Sequence, residues 1–190
     1  MGSNESPPIR ILIADDTNLI RKALTIYCEA DPNFEVIGTA ENGNFALRLI
    51  RDSHPNIVLM DLEMPEMDGI TATRIMGQFF PSVKVLIISS HNTQDYIDQA
   101  LKAGASGYFI KSTPAKTLLK AIKLIHEQNV RIIPDISTQN AYKILPSSLA
   151  TDSPNESKSS CKPLILVLIN KLKSCFHHCI NLQRKILVSK

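Results

Sequence analysis

The sequence predicts an α/β protein: a doubly wound, five-stranded parallel sheet of the form (βα)5, followed by a C-terminal helical extension. Three observations carry that prediction. Five short apolar runs recur between Ile9 and Ile110. Each is followed by a stretch whose apolar residues repeat at helical spacing. The runs are continuously apolar rather than alternating, as strands covered on both faces require. Right-handed crossovers then leave few topologies for the string.

Ile9-Arg10-Ile11-Leu12-Ile13-Ala14 reads as the first strand, and Asp15-Asp16-Thr17-Asn18 supplies the turn and helix-capping chemistry after it. The next helix gathers Leu19, Ala23, Ile26, Tyr27 and Ala30 on one face and ends at Asp31-Pro32-Asn33. Phe34 to Ala40 is the second strand. Phe45, Ala46, Leu49 and Ile50 stripe a helix that stops before His54-Pro55, and Asn56 to Met60 is the third strand. After Asp68-Gly69, the positions Ala72, Ile75, Met76 and Phe79 mark a helix closed by Pro81. Val83 to Ile88 is the fourth strand, with Ser89-Ser90-His91-Asn92 at its exit. Tyr96, Ile97, Ala100 and Leu101 line the fourth helix, and Gly104 falls at its C-cap. Gly107 to Ile110 forms a short fifth strand ending at Lys111. Ser112-Thr113-Pro114 opens a fifth helix that turns Leu118, Leu119, Ile122 and Ile125 inward.

At 190 residues the chain suits one ordinary domain with an appendage. Its net charge of +3 is unevenly spread: residues 1–156 hold all 18 acids against 14 Lys/Arg, whereas residues 157–190 hold seven Lys/Arg and no acid. That asymmetry marks two functionally different segments. The expected organisation is a leader (1–7), a main domain (8–128), a linker rich in Ser, Asn, Asp and Pro (129–160) and a basic amphipathic helical tail (161–190). Four cysteines form no even framework across the main body, and no signal peptide opens the chain, so the expected setting is reducing and cytoplasmic. The start Met1-Gly2-Ser3-Asn4-Glu5-Ser6 fits a myristoylation pattern only loosely. No apolar run approaches the ~20 residues of a membrane span.

Chemistry collects where the strands end. The first strand releases Asp15-Asp16, the third Asp61, the fourth Ser89 and the fifth Lys111. In a parallel sheet these carboxyl ends share one edge, which is where open α/β sheets bind ligands. Carboxylates brought together repel unless a cation sits among them. Mg²⁺ suits such a set, because it takes one or two carboxylates and keeps waters that a phosphoryl oxygen can replace. Lys111 is a point charge suited to phosphate, and the Ser89 hydroxyl can donate to a phosphoryl oxygen. Acid, metal, hydroxyl and ammonium around one carboxylate are the parts needed to make and break an aspartyl phosphate.

With Asp15-Asp16, Met60-Asp61-Leu62-Glu63-Met64-Pro65, Asp68-Gly69, Ser89 and Gly104 through Lys111 in place, residues 8–128 resemble the receiver (CheY-like) domain of two-component response regulators. The resemblance implies a flavodoxin-like topology and a phosphoryl group accepted by Asp61 from a histidine kinase or phosphotransfer protein. It implies that Asp16, Asp61 and the main-chain carbonyl of Glu63 hold Mg²⁺, with Asp15 assisting through the metal's waters and Lys111 pairing with the phosphoryl group. It also implies that Ser89 moves toward that group while Tyr108 turns inward, changing the partner preference of the face around Tyr108. Glu63 and His91, two residues beyond Asp61 and Ser89, are expected to flank the attack path and to tune the lifetime of the modified state. One departure stands out: Ser112 follows Lys111 where many receivers carry a cis proline.

The segment Ile125 to Pro134 resembles the exit of receivers that precede a helix-turn-helix output domain, yet no clear DNA-binding domain follows. In the tail, Ile165, Leu168, Leu172, Cys175, Cys179, Leu182 and Ile186 are spaced 3-4-3-4-3-4, a seam suited to self-association or to docking on a partner. A basic helix lying on an anionic membrane is the rival reading. Cys161, Cys175, His177, His178 and Cys179 lack a second pair at zinc-site spacing. Output through protein contacts, or descent from a truncated transcriptional regulator, both fit the chain. Two other classes share parts of this pattern: a phosphatase with an aspartyl nucleophile, and a binding module that works without phosphorylation. The phosphatase lacks its usual nucleophile on the first strand and its late acid pair. The binding module leaves a complete set of reactive side chains without a use.

Overall fold

The structure, a computed structural model, describes residues 6–137 and 142–147. Strands and helices alternate as expected: β1 (Ile9–Ala14), α1 (Asn18–Glu29), β2 (Phe34–Ala40), α2 (Gly43–Ser53), β3 (Ile57–Asp61), α3 (Gly69–Phe79), β4 (Lys84–Ser89), α4 (Gln94–Ala103), β5 (Gly107–Ile110) and α5 (Ala115–Gln128). The caps follow from side-chain chemistry. Asn42 accepts the Phe45 N–H at 2.8 Å to start α2, and Asp68 accepts the Thr71 N–H at 2.7 Å to start α3. Gly104, at φ 105°, closes α4 in the left-handed region.

The sheet order is β2-β1-β3-β4-β5, continued by two strands not anticipated from the sequence, β6 (Val130–Pro134) and β7 (Tyr142–Pro146). The expected five-stranded parallel core is present, and β6 and β7 extend the sheet to seven strands among the described residues. β6 joins β5 in parallel through Gly107 and Ile132, and β7 returns antiparallel along β6. Both lie within residues 129–160, the stretch expected to be a linker. The pattern hid them because Val130-Arg131-Ile132-Ile133 reads as a helix exit and Tyr142 to Pro146 as an isolated apolar fragment among Ser and Asn. What stabilises them is tertiary: Ile132 is buried in the core and Tyr142 stacks on Phe109 at 5.1 Å.

On one side of the sheet, Ile11, Ile13, Ile57, Leu59, Leu86 and Phe109 pack with Leu118, Ile122 and Ile125 of α5 and Cys28 of α1. Alternation along each strand sends Leu12, Met60 and Ile87 to the other face, where they too are buried. Burial pushes the Cys28 thiol up to about 12, so this cysteine is an unreactive core residue.

The apolar face assigned to α1 points to solvent. Leu19 is 74% exposed and Ile26 66%, while Leu24 and Cys28 pack inward. α1 carries apolar residues on two sides, and spacing alone does not choose between them. Phe79, at the end of α3, is likewise exposed. Among the described residues no helix is long and apolar enough to cross a membrane. The heptad seam from Ile165 to Ile186, the remaining cysteines and the first five residues lie outside the described residues.

Candidate functional site

Register explains why the reactive side chains meet. Ala14 of β1 lies opposite Met60 of β3, so Asp15 and Asp61 leave the sheet side by side. Ser89 lies opposite Ile110, so Lys111 emerges one residue beyond Ser89's level. The crevice opens where the strand order reverses between β1 and β3, the switch point at which open α/β sheets bind ligands. Behind it, Gly69 donates its N–H to the Leu62 carbonyl at 2.9 Å. A Cβ on Gly69 would stand 1.9 Å from the Asp61 carbonyl oxygen, so only glycine lets α3 begin this close to the site.

The side chains form one charged cluster. Asp15 and Asp61 are 1% and 5% exposed, and the Lys111 ammonium lies 2.9 Å from Asp15 and 3.0 Å from Asp61. Asp16 is exposed, and carboxylate oxygens of Asp15, Asp16 and Asp61 all lie within 4.8 Å of one another. Burial raises the Asp61 carboxyl above its ordinary range, the Lys111 hydrogen bond opposes this, and the neighbouring Asp15 charge adds to it. Burial alone would lower Lys111, but its bonds to Asp15 and Asp61 outweigh that and hold it above its ordinary value. Three carboxylates facing one ammonium leave an excess of negative charge, which a small divalent cation with oxygen preference fits.

A second group of contacts runs along the β4 exit. Ser89 is buried, and its hydroxyl accepts the His91 N–H at 3.1 Å. Tyr108 is fully buried and donates its hydroxyl to the His91 carbonyl at 2.9 Å. The His91 ring reaches Glu63 at 2.9 Å and stacks on Tyr96 of α4, with centroids 4.1 Å apart and planes 13° from parallel. The structure thus gathers Asp15, Asp16, Asp61 and Lys111 in one cluster and Ser89, Tyr108, His91 and Glu63 in an adjoining one. Sequence reasoning missed Arg21 and Tyr96. Arg21 donates to the main-chain carbonyls of Asp15 at 2.6 Å and Asp16 at 2.9 Å, fixing the loop that carries both acids. An arginine one turn into the helix after an Asp-Asp pair is a signal that would have found it.

A family model described as the response regulator receiver domain matches residues 11–123. The chain belongs to that family. It is a receiver domain of the two-component response regulators, homologous to transcriptional regulators. The chain is 38% identical over 135 residues to the transcriptional regulatory protein DegU of Brevibacillus brevis, covering 71% of this chain and 57% of that one. It is 32% identical over 161 residues to the response regulator GacA of Pseudomonas protegens, covering 85% and 75%. Among solved structures, a two-component response regulator of the LuxR family from Aurantimonas superposes with a TM-score of 0.64 at 34% identity, covering 70% of this chain and 95% of that one. The chain spans 52–60% of the length of three curated relatives: DegU and two regulators from Bacillus subtilis. The flavodoxin-like receiver core agrees with these likenesses, and β6 and β7 extend it.

Proposed function

We propose that this receiver takes a phosphoryl group on Asp61 from the phosphohistidine of a histidine kinase or phosphotransfer protein, and that the modification switches its preference for an output partner. One observation carries the reading: Asp61 is buried at the switch-point crevice, bonded to Lys111 and within reach of two further carboxylates.

The donor set fits Mg²⁺, which Asp16, Asp61 and the Glu63 carbonyl would hold with Asp15 assisting. When bound, the ion supplies charge neutralisation for the phosphoryl oxygens. The chain's own residues do the rest. An Asp61 oxygen attacks phosphorus, the P–N bond of phosphohistidine breaks, and the imidazole leaves with a proton. Lys111 shifts its ammonium from the Asp61 carboxylate to the incoming phosphoryl oxygens. Hydrolysis reverses the capture: water attacks phosphorus, inorganic phosphate leaves, and the carboxylate returns to Lys111. The chain thus catalyses its own phosphorylation and dephosphorylation rather than turning over a separate substrate. Ser89 and Tyr108 act as the bistable pair, coupled through the His91 main chain, and Glu63 and His91 tune hydrolysis.

In this reading residues 8–128 are the signalling body, working in the cytoplasm, and the basic tail from 161 to 190 contributes to output. The test is incubation of the full chain with a small phosphodonor such as phosphoramidate, with Mg²⁺ or with a chelator. The expected result is one phosphoryl group per chain, dependent on Mg²⁺ and absent from Asp61→Asn. Labelling of that variant to the same extent rejects Asp61.

A further inference from the structure

His91 is anchored more heavily than its exposed loop requires. Its N–H is held by the Ser89 hydroxyl and its carbonyl by Tyr108, so the main chain is fixed at both ends of the residue. Only the ring remains free to turn, and two contacts define where it points: the bond to Glu63 and the face-to-face stack on Tyr96. Glu63 itself is 72% exposed along its side chain, and the imidazole 2.9 Å away is the group that gives it a fixed partner. Tyr96 occupies the first turn of α4, where Ile97 and Ala100 fill the core and Tyr96 stays only half buried. Its ring therefore serves the β4–α4 loop more than the helix's own packing.

We propose that Tyr96 is a positioning residue for the Asp61 site: its ring holds the His91 imidazole against Glu63, and this pairing governs how long a phosphoryl group survives on Asp61. The inference rests on the reading of Asp61 as the acceptor. The bonded Glu63–His91 pair joins the exit loops of β3 and β4, two residues past Asp61 on one side and two past Ser89 on the other. While the pair is closed, both polar side chains are occupied with each other. Once it opens, a carboxylate and an imidazole beside the site are free to admit and orient the attacking water. Losing an aromatic stack shifts such a balance by roughly two- to tenfold, so Tyr96→Ala shortens the half-life of the phosphorylated chain by that factor. Tyr96→Phe, which keeps the ring and loses only the hydroxyl, retains the wild-type half-life.

The experiment uses the full chain, phosphorylated by phosphoramidate with Mg²⁺ and then freed of donor. Half-lives are compared for wild type, Tyr96→Ala, Tyr96→Phe, His91→Ala and the double variant His91→Ala/Tyr96→Ala. The expected result is a shortened half-life in Tyr96→Ala, full recovery in Tyr96→Phe, and no added effect of Tyr96→Ala once His91 is gone. A half-life in Tyr96→Ala that is unchanged or longer, or an equal effect in the His91→Ala background, overturns the inference. A second readout needs no phosphoryl transfer. The ring nitrogen resonances of His91, identified by their loss in His91→Ala, keep the signature of a fixed, bonded imidazole in wild type and Tyr96→Phe and average in Tyr96→Ala. Wild-type His91 resonances in Tyr96→Ala overturn the positioning role whether or not Asp61 is modified. Averaged resonances with no phosphorylation of wild type fault the acceptor reading instead.

Discussion

Replacing Lys111 by methionine removes the ammonium shared by two buried carboxylates while keeping an unbranched stem as far as the ε position. Asp15 and Asp61 are 1% and 5% exposed and lie 2.9 and 3.0 Å from that nitrogen. Removing one partner of a buried ion pair costs ~3–5 kcal/mol because the other charge stays buried and uncompensated. Two effects move this site toward the lower end. Asp16 is exposed and Lys111 is 22% exposed along its side chain, and burial raises the Asp61 carboxyl above its ordinary range so that it neutralises more readily. The expected loss at neutral pH in chelator is therefore about 3 kcal/mol, a large share of the ~5–15 kcal/mol typical of a domain. Urea unfolding followed by circular dichroism measures it as a lower midpoint at unchanged slope. Adding Asp61→Asn to the variant restores part of the loss by removing one of the two stranded charges. The sign of the pH dependence follows from Lys111, whose folded pKa lies above its ordinary 10.5. So far as Lys111's own titration goes, its stabilisation is full below the ordinary lysine value and is lost as pH rises through the folded value, and it also falls in acid where its carboxylate partners become neutral. In Lys111→Met the deficit relative to wild type shrinks on acidification, as Asp61 becomes neutral. A variant within about 0.5 kcal/mol of wild type at neutral pH in chelator, the range of an ordinary surface change, would refute the reasoning.

Gly69→Ala drives a methyl group to 1.9 Å from the Asp61 carbonyl, and the expected cost is about 3 kcal/mol or more from overpacking against backbone; Gly38→Ala, whose Cβ meets only side-chain atoms at 3.6 Å, is the control that unfolds near wild type. Asp31, held at about 2 chiefly by its hydrogen bond from Lys123, contributes stability above the ordinary carboxylate pKa of 3.8 and loses it as pH falls toward the folded value. Acid titration of wild type against Asp31→Asn shows the two curves converging over that window. Leu19→Ser and Ile26→Ser leave the unfolding free energy from urea titration within about 0.5 kcal/mol of wild type, as exposed substitutions do, whereas Leu24→Ala on the packed side of α1 costs ~2 kcal/mol or more. A larger loss at Leu19 or Ile26 contradicts the orientation of α1.

What could be read directly from the sequence was whatever local chemistry determines. Apolar runs ended by charge placed Asp15, Asp61, Ser89 and Lys111 at strand exits, and the parallel topology brought those exits to one edge. Gly104 was legible as a cap because little else tolerates its backbone angle. The parts that stayed hidden depend on distant packing. β6 and β7 need Phe109 and Ile132 as a platform, and nothing within residues 130–146 announces it. The inward side of α1 is chosen by what the sheet offers Leu24 and Cys28, not by the helix's own periodicity. Tyr96 was read as an ordinary lining residue of a helix, and its stack on His91 appears only once the β4–α4 loop has folded back.

The most direct test of the central claim is chemical trapping of the modified side chain. The full chain is phosphorylated with Mg²⁺ and phosphoramidate, then reduced with borohydride, which converts an acyl phosphate to an alcohol. Peptide mass spectrometry locates the converted residue. The account predicts a single site, Asp61, with no conversion when Mg²⁺ is chelated. Conversion at Asp15 or Asp16 instead, or phosphate retained on a serine or histidine that borohydride leaves untouched, would contradict it.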